Sequence, residues 1–225
     1  TGMRRISDTE LVRNYCVNHK GDIFDINYAS EHIFKDIPHV NLRKIVSRLI
    51  DSGLLRTISK GVYVIGETDL SDEEVVLKHY LHNELGMKEG SPVGKYLMFT
   101  EGFTDKEPEL KEIKTSHTKG NKRIGNVQII ESHSCFRNLT NNYTMATAME
   151  LLAAGDPDDI SKVKEYVEKV RICLSNYSDM QFSAQVKELY SPAVYFELEK
   201  YLNSMQISHR VKEIYDIQSR LYSKK

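Results

Sequence analysis

The chain contains no apolar run approaching the length of a membrane span, and its first residues hold no signal-peptide core. A membrane-embedded or exported protein is therefore not expected. Cysteine is scarce: Cys16, Cys135 and Cys173 lie far apart, are odd in number and form no CxxC pair. That argues against a disulfide framework or a structural zinc site and for a reducing, cytoplasmic setting. Neither sign of charge is in excess, because the formal net charge is -1, so any affinity for nucleic acid must come from a local patch. No GxGxxG or GKS pattern accompanies Gly90 and Gly94, which removes a phosphate-binding loop. A Ser/His/Asp or Cys/His nucleophile has no supporting motif, and no internal repeat is evident. Thr1-Gly2-Met3 reads as a foreign lead before a start at Met3 and is set aside.

What remains is ordinary in bulk and informative in detail. Hydrophobic residues make up 40% and charged residues 28% of 225 positions, as in a globular protein of one large or two modest domains. The most informative stretch begins at Phe34 and ends in KGVYVI. Leu42, Ile45, Val46, Leu49 and Ile50 fall at i, i+3, i+4, i+7 and i+8, one apolar stripe on a helix. Asn41, Lys44, Ser47, Arg48 and Asp51 take the other side, with Arg43 at the flank. Gly53 stands where a helix C′ residue turns left-handed. Two extended runs follow, Leu54–Ile58 and Gly61–Ile65, joined by Ser59-Lys60.

An amphipathic helix with a basic outer face, followed at once by a basic hairpin, has the pattern of a recognition helix plus wing. Upstream, Ser7-Asp8-Thr9-Glu10 forms a capping box that opens a helix to about Asn18, with Leu11, Val12 and Tyr15 placed inward. A short strand at Ile23–Ile26, a helix over Tyr28–Phe34 and a turn at Asp36-Ile37-Pro38 complete the winged helix-turn-helix order. Within residues 1–66, Arg4, Arg5, Arg13, Lys20, Lys35, Arg43, Lys44, Arg48, Arg56 and Lys60 outnumber Asp8, Glu10, Asp22, Asp25, Glu31, Asp36 and Asp51. The candidate DNA-binding residues are Asn41, Arg43, Lys44, Ser47, Arg48, Arg56 and Lys60: helix cations and amides reach phosphates or base edges, and hairpin cations reach flanking phosphates.

Residues 67–225 read as a second domain. Ser71-Asp72-Glu73-Glu74 opens a helix to about Leu85. His79 and His82, one turn apart on it, suit either a metal pair without a third ligand or a packing role. Residues 91–104 read as turns and short strands. Leu110–Ser116, Arg123-Ile124 and Val127–His133 supply a small mixed or antiparallel sheet. From Asn142 or Thr144 the chain is helical: to Ala154, then Asp159–Leu174, Asp179–Tyr190, Pro192–Met205 and Ile207–Tyr222. The near-heptad Val211, Ile214, Ile217 and Leu221 of the last suit a packed helix or a partner-binding one. The fold class expected is α+β, a winged helix-turn-helix followed by a small sheet and a C-terminal helical bundle.

The run Asn41-Leu42-Arg43-Lys44, then Leu49 to Arg56, then Ser59-Lys60-Gly61-Val62-Tyr63 resembles the abortive-infection type IV antitoxin family (AbiEi-like), in its branch with an N-terminal winged helix and a longer α/β domain. A weaker likeness runs through Gly90–Phe99, Val127–Ile130 and the helices after Thr140. The resemblance implies a non-enzymatic, autorepressing regulator with no cofactor, binding double-stranded DNA at its own operator. It further implies that the second domain supports repression or neutralises a nucleotidyltransferase-like toxin. Monomer and dimer both remain open. Two other function classes stand beside it. One is a metal-dependent nuclease using Glu109, Glu112, Lys114 and Glu131. The other is a protein-interaction adaptor that keeps the fold without using it on DNA.

Overall fold

In a computed structural model that describes residues 5–137 and 145–223, the chain is α+β and about half helical. It divides into two compact units, Thr1–His79 with Arg123–Val127, and Tyr80–Lys122 with Gln128–Lys225. Within the first unit, the helix that follows residue 66 is held by His79, whose Nδ1 lies 2.8 Å from Asp22 Oδ1, and by the buried Val75 and Val76. No helix among the described residues is long and apolar enough to cross a membrane.

The first unit runs α1 (Asp8–Asn18), β1 (Ile23–Asp25), α2 (Ile26–His32), α3 (His39–Asp51), β2 (Leu55–Ser59), β3 (Val62–Ile65) and α4 (Asp72–Leu81). The capping box of α1 forms as its spacing predicts, with Glu10 N donating to Ser7 Oγ and Ser7 N to Glu10 Oε2. Val12 and Cys16 are its buried residues; Leu11, expected inward, is 46% exposed. An inward face at 12 and 16 is one helical turn, and Leu11 falls outside it. The strands form an antiparallel sheet in the order β1-β3-β2. The core joins Val12, Cys16, Phe24, Phe34, Leu42, Ile45, Val46, Leu49 and Ile65.

Further along the chain come β4 (Gly90–Pro92), α5 (Gly94–Thr100), β5 (Lys111–Thr115), β6 (Lys122–Ile124) and β7 (Val127–Glu131), the four strands in a sheet ordered β4-β5-β7-β6, then α6 (Met145–Ala154), α7 (Ile160–Leu174), α8 (Asp179–Gln185), α9 (Pro192–Ser204) and α10 (Val211–Tyr222). Several sequence expectations need correction. Residues 94–100 are helical, not a strand and turn, because Leu97 and Met98 on one face bury into the helical core. Gly90 sits in β4 because a Cβ there would stand 2.5 Å from the Lys114 carbonyl on β5. Helix α4 ends at Leu81 rather than Leu85. Helix α8 stops at Gln185, since Val186 turns extended and its carbonyl accepts from Gln218 Nε2 at 3.0 Å. Helix α10 begins at Val211 rather than Ile207. The start expected at Asn142 or Thr144 for α6 lies outside the described residues.

Candidate nucleic-acid interface

Helix α3 separates its two faces cleanly. Leu42, Ile45, Val46 and Leu49 are between 0% and 4% exposed, so the stripe read from sequence is the buried side, with Ile50 half-buried at its edge. Asn41, Arg43, Lys44, Ser47, Arg48 and Asp51 are all exposed. Burying four branched side chains fixes the helix on its unit at roughly 1.5–3 kcal/mol per side chain. Its polar side is thereby held at a set orientation. Among the described residues, Arg43, Lys44, Arg48 and Lys60 form no salt bridge. Their charge is available to an outside anion.

The hairpin after α3 is short. Strand β2 is an edge strand, and its register with β3 shifts between Thr57 and Ser59. Gly61 closes the turn at φ +75°, with Ile26 Cγ2 only 3.2 Å from where a Cβ would stand. A left-handed backbone and a close neighbour both call for glycine there. Lys60 is exposed beside it.

Arg56 is the exception among the candidates. Its guanidinium faces Asp72, the first residue of α4, with Nη2–Oδ1 at 2.8 Å and Nη1–Oδ2 at 3.4 Å. The hydrogen bond to Asp72 raises the Arg56 pKa, and the same bond holds the Asp72 carboxyl below the usual carboxylate range. Both side chains are 55% exposed. An exposed pair of this kind is worth about 0.2–1 kcal/mol, so it can exchange for another partner.

Val40 was not among the residues picked from sequence. It is 64% exposed in the first turn of α3, on the polar side. The signal was present, because Val40 falls outside the 3.6-residue stripe that organises the rest of the helix.

The other candidate constellations do not assemble as proposed. Lys114 does not join Glu109, Glu112 and Glu131. Its Nζ lies 2.6 Å from Glu150 Oε1 and 2.7 Å from Glu188 Oε2, while Glu131 Oε2 accepts from Gly120 N at 2.9 Å. Tyr190 OH donates to Glu150. Burial alone would lower the Lys114 pKa, but the two carboxylates outweigh it and raise it. The sequence signal was Glu150 itself, the one charged residue in the apolar α6 segment MATAMELLAA. His79 is 7% exposed and turned to Asp22, whereas His82 forms a backbone bridge with Lys88. Among the described residues, no three His, Cys, Asp or Glu side chains are grouped to hold a metal ion. No protein-family model matches the chain, and no curated protein matches it.

Proposed function

We propose that residues 5–66 are a winged helix-turn-helix that binds double-stranded DNA, and that the protein is a DNA-binding regulator. The observation that carries this reading is the outer face of α3, where Arg43, Lys44 and Arg48 are exposed without ion pairs among the described residues while the opposite side is sealed in the core. Helix α3 would enter the major groove, where a helix fits and base edges are distinguishable. Its N-terminal residues Val40 and Asn41 would meet base edges, and Arg43 and Lys44 would reach phosphates or base edges. Lys60 at the hairpin turn would take a phosphate. The narrower role, an autorepressing type IV antitoxin with a nucleotidyltransferase-like toxin as partner, rests on the likeness of the Asn41–Tyr63 segment alone. A cytoplasmic location goes with it.

The test is the salt dependence of binding to a labelled duplex taken from upstream of its own gene. Four phosphate-neutralising cations (Arg43, Lys44, Arg48 and Lys60) give a log–log slope of about -3.6, or about a 150-fold loss of affinity between about 50 and 200 mM salt. Lys60→Ala lowers the slope by about 0.9 and weakens all sequences alike. Arg43→Ala costs about 1–3 kcal/mol on a preferred sequence if it reads a base. A flat salt response, or parent-like binding by both variants, refutes the interface.

A further inference from the structure

The ion pair between Arg56 and Asp72 has no structural load to carry. Helix α4 is already anchored by His79, 7% exposed with Nδ1 at 2.8 Å from Asp22, and by Val75 and Val76, each 1% exposed. The Arg56–Asp72 pair lies further out, with both side chains 55% exposed. Arg56 stands on edge strand β2, four residues before Lys60, where the proposed interface would want a phosphate contact. Letting go of Asp72 therefore leaves α4 in place.

We propose that Asp72 is an intramolecular competitor for DNA: it holds the Arg56 guanidinium in place of a phosphate and so sets how tightly, and with how many cations, the first unit grips a duplex. This rests on the DNA-binding reading above. A carboxylate and a phosphodiester offer the same guanidinium a similar pair of oxygens, so each contact excludes the other. The carboxylate is tethered and always present, whereas the phosphate arrives only with DNA. The grip is weakened by whatever the exposed pair is worth, which corresponds to about 1.4- to five-fold in affinity. Any event that neutralises Asp72 or draws it away would release a further phosphate contact.

A double-mutant cycle on the full chain tests this, with a fluorescent mixed-sequence duplex of about 20 base pairs at low salt and anisotropy as the readout. Asp72→Asn keeps the side-chain shape and removes the charge. It should tighten binding about 1.4- to five-fold and steepen the salt slope by about 0.9. Arg56→Ala alone should change affinity less than Lys60→Ala does. In an Arg56→Ala background, Asp72→Asn should give no gain. An equal gain with Ala at 56 would mean that Asp72 acts only by general repulsion, and overturns the proposal. So does an Arg56→Ala loss as large as that of Lys60→Ala in the parent, or no change in Asp72→Asn. If the parent does not bind, or if Arg43→Ala and Lys60→Ala bind like it, the DNA-binding reading fails, and this proposal with it. Normal Arg43 and Lys60 effects beside an inert Asp72→Asn remove the competitor alone.

Discussion

Replacing Glu150 perturbs the second unit at its most demanding polar contact. The carboxylate is 3% exposed and receives both the Lys114 ammonium at 2.6 Å and the Tyr190 hydroxyl at 2.5 Å. Glu150→Ala leaves Tyr190, 8% exposed, without that acceptor and Lys114 with one carboxylate in place of two. Breaking a buried ion pair from one side costs about 3–5 kcal/mol, and an orphaned buried hydroxyl about 1–3 kcal/mol. Glu188, 2.7 Å from Lys114, recovers part of the first amount, so the loss should be about 4 kcal/mol. At a urea m-value of about 3 kcal/mol/M, the midpoint of the second unit's transition moves down by about 1.3 M. The chain has no tryptophan, so far-ultraviolet circular dichroism is the suitable probe. Glu150→Gln should cost about half as much, because it keeps volume and one acceptor oxygen. Lys114→Met combined with Glu150→Gln should cost less than the two single changes summed, by about 1–2 kcal/mol of coupling. A Glu150→Ala loss under about 1 kcal/mol, or strict additivity in the pair, would refute the buried network as a determinant of stability.

Three further outcomes follow from the structure. Leu42→Ala removes a side chain that is 0% exposed beneath the polar face of α3. It should destabilise the first unit by about 2–5 kcal/mol in thermal unfolding, and weaken duplex binding whenever that unit is partly unfolded. Alkali should unfold the protein: burial pushes the Cys16 and Cys173 thiols up to about 12 from 9.0 and raises Tyr166 and Tyr190 above 10.0, while Lys114 is raised by its two carboxylates. Above about pH 9 the unfolded chain therefore sheds protons that the folded chain keeps, and stability falls with rising pH; a urea midpoint unchanged between pH 8 and pH 11 would contradict this. Iodoacetamide at neutral pH should label Cys135, which is half-buried, ahead of Cys16 and Cys173, which are buried. Peptide mapping before and after urea checks the order.

Much of the local structure was legible before any coordinates. The period of Leu42, Ile45, Val46 and Leu49 identified the buried side of α3, and Ser7 with Glu10 marked the start of α1. Both signals lie within a turn or two of chain, where sequence spacing and spatial proximity are the same thing. The KG turn between β2 and β3 is of the same kind. Residues 94–100 read as turns and short strands from sequence because Gly90, Gly94 and Gly102 suggest turns. What makes them helical is the core that receives Leu97 and Met98, supplied by helices far along the chain.

The functional residues divide in the same way. Composition and spacing alone determined that α3 has a cationic side and that a hairpin carrying Lys60 follows it. Only the tertiary structure decided that Arg56 is held by Asp72, sixteen positions away, and that Lys114 belongs with Glu150 and Glu188 at separations of 36 and 74. Periodicity reports which way a side chain faces along its own element. It carries no information about which distant element will present a counter-charge there, since that depends on how separately formed pieces pack.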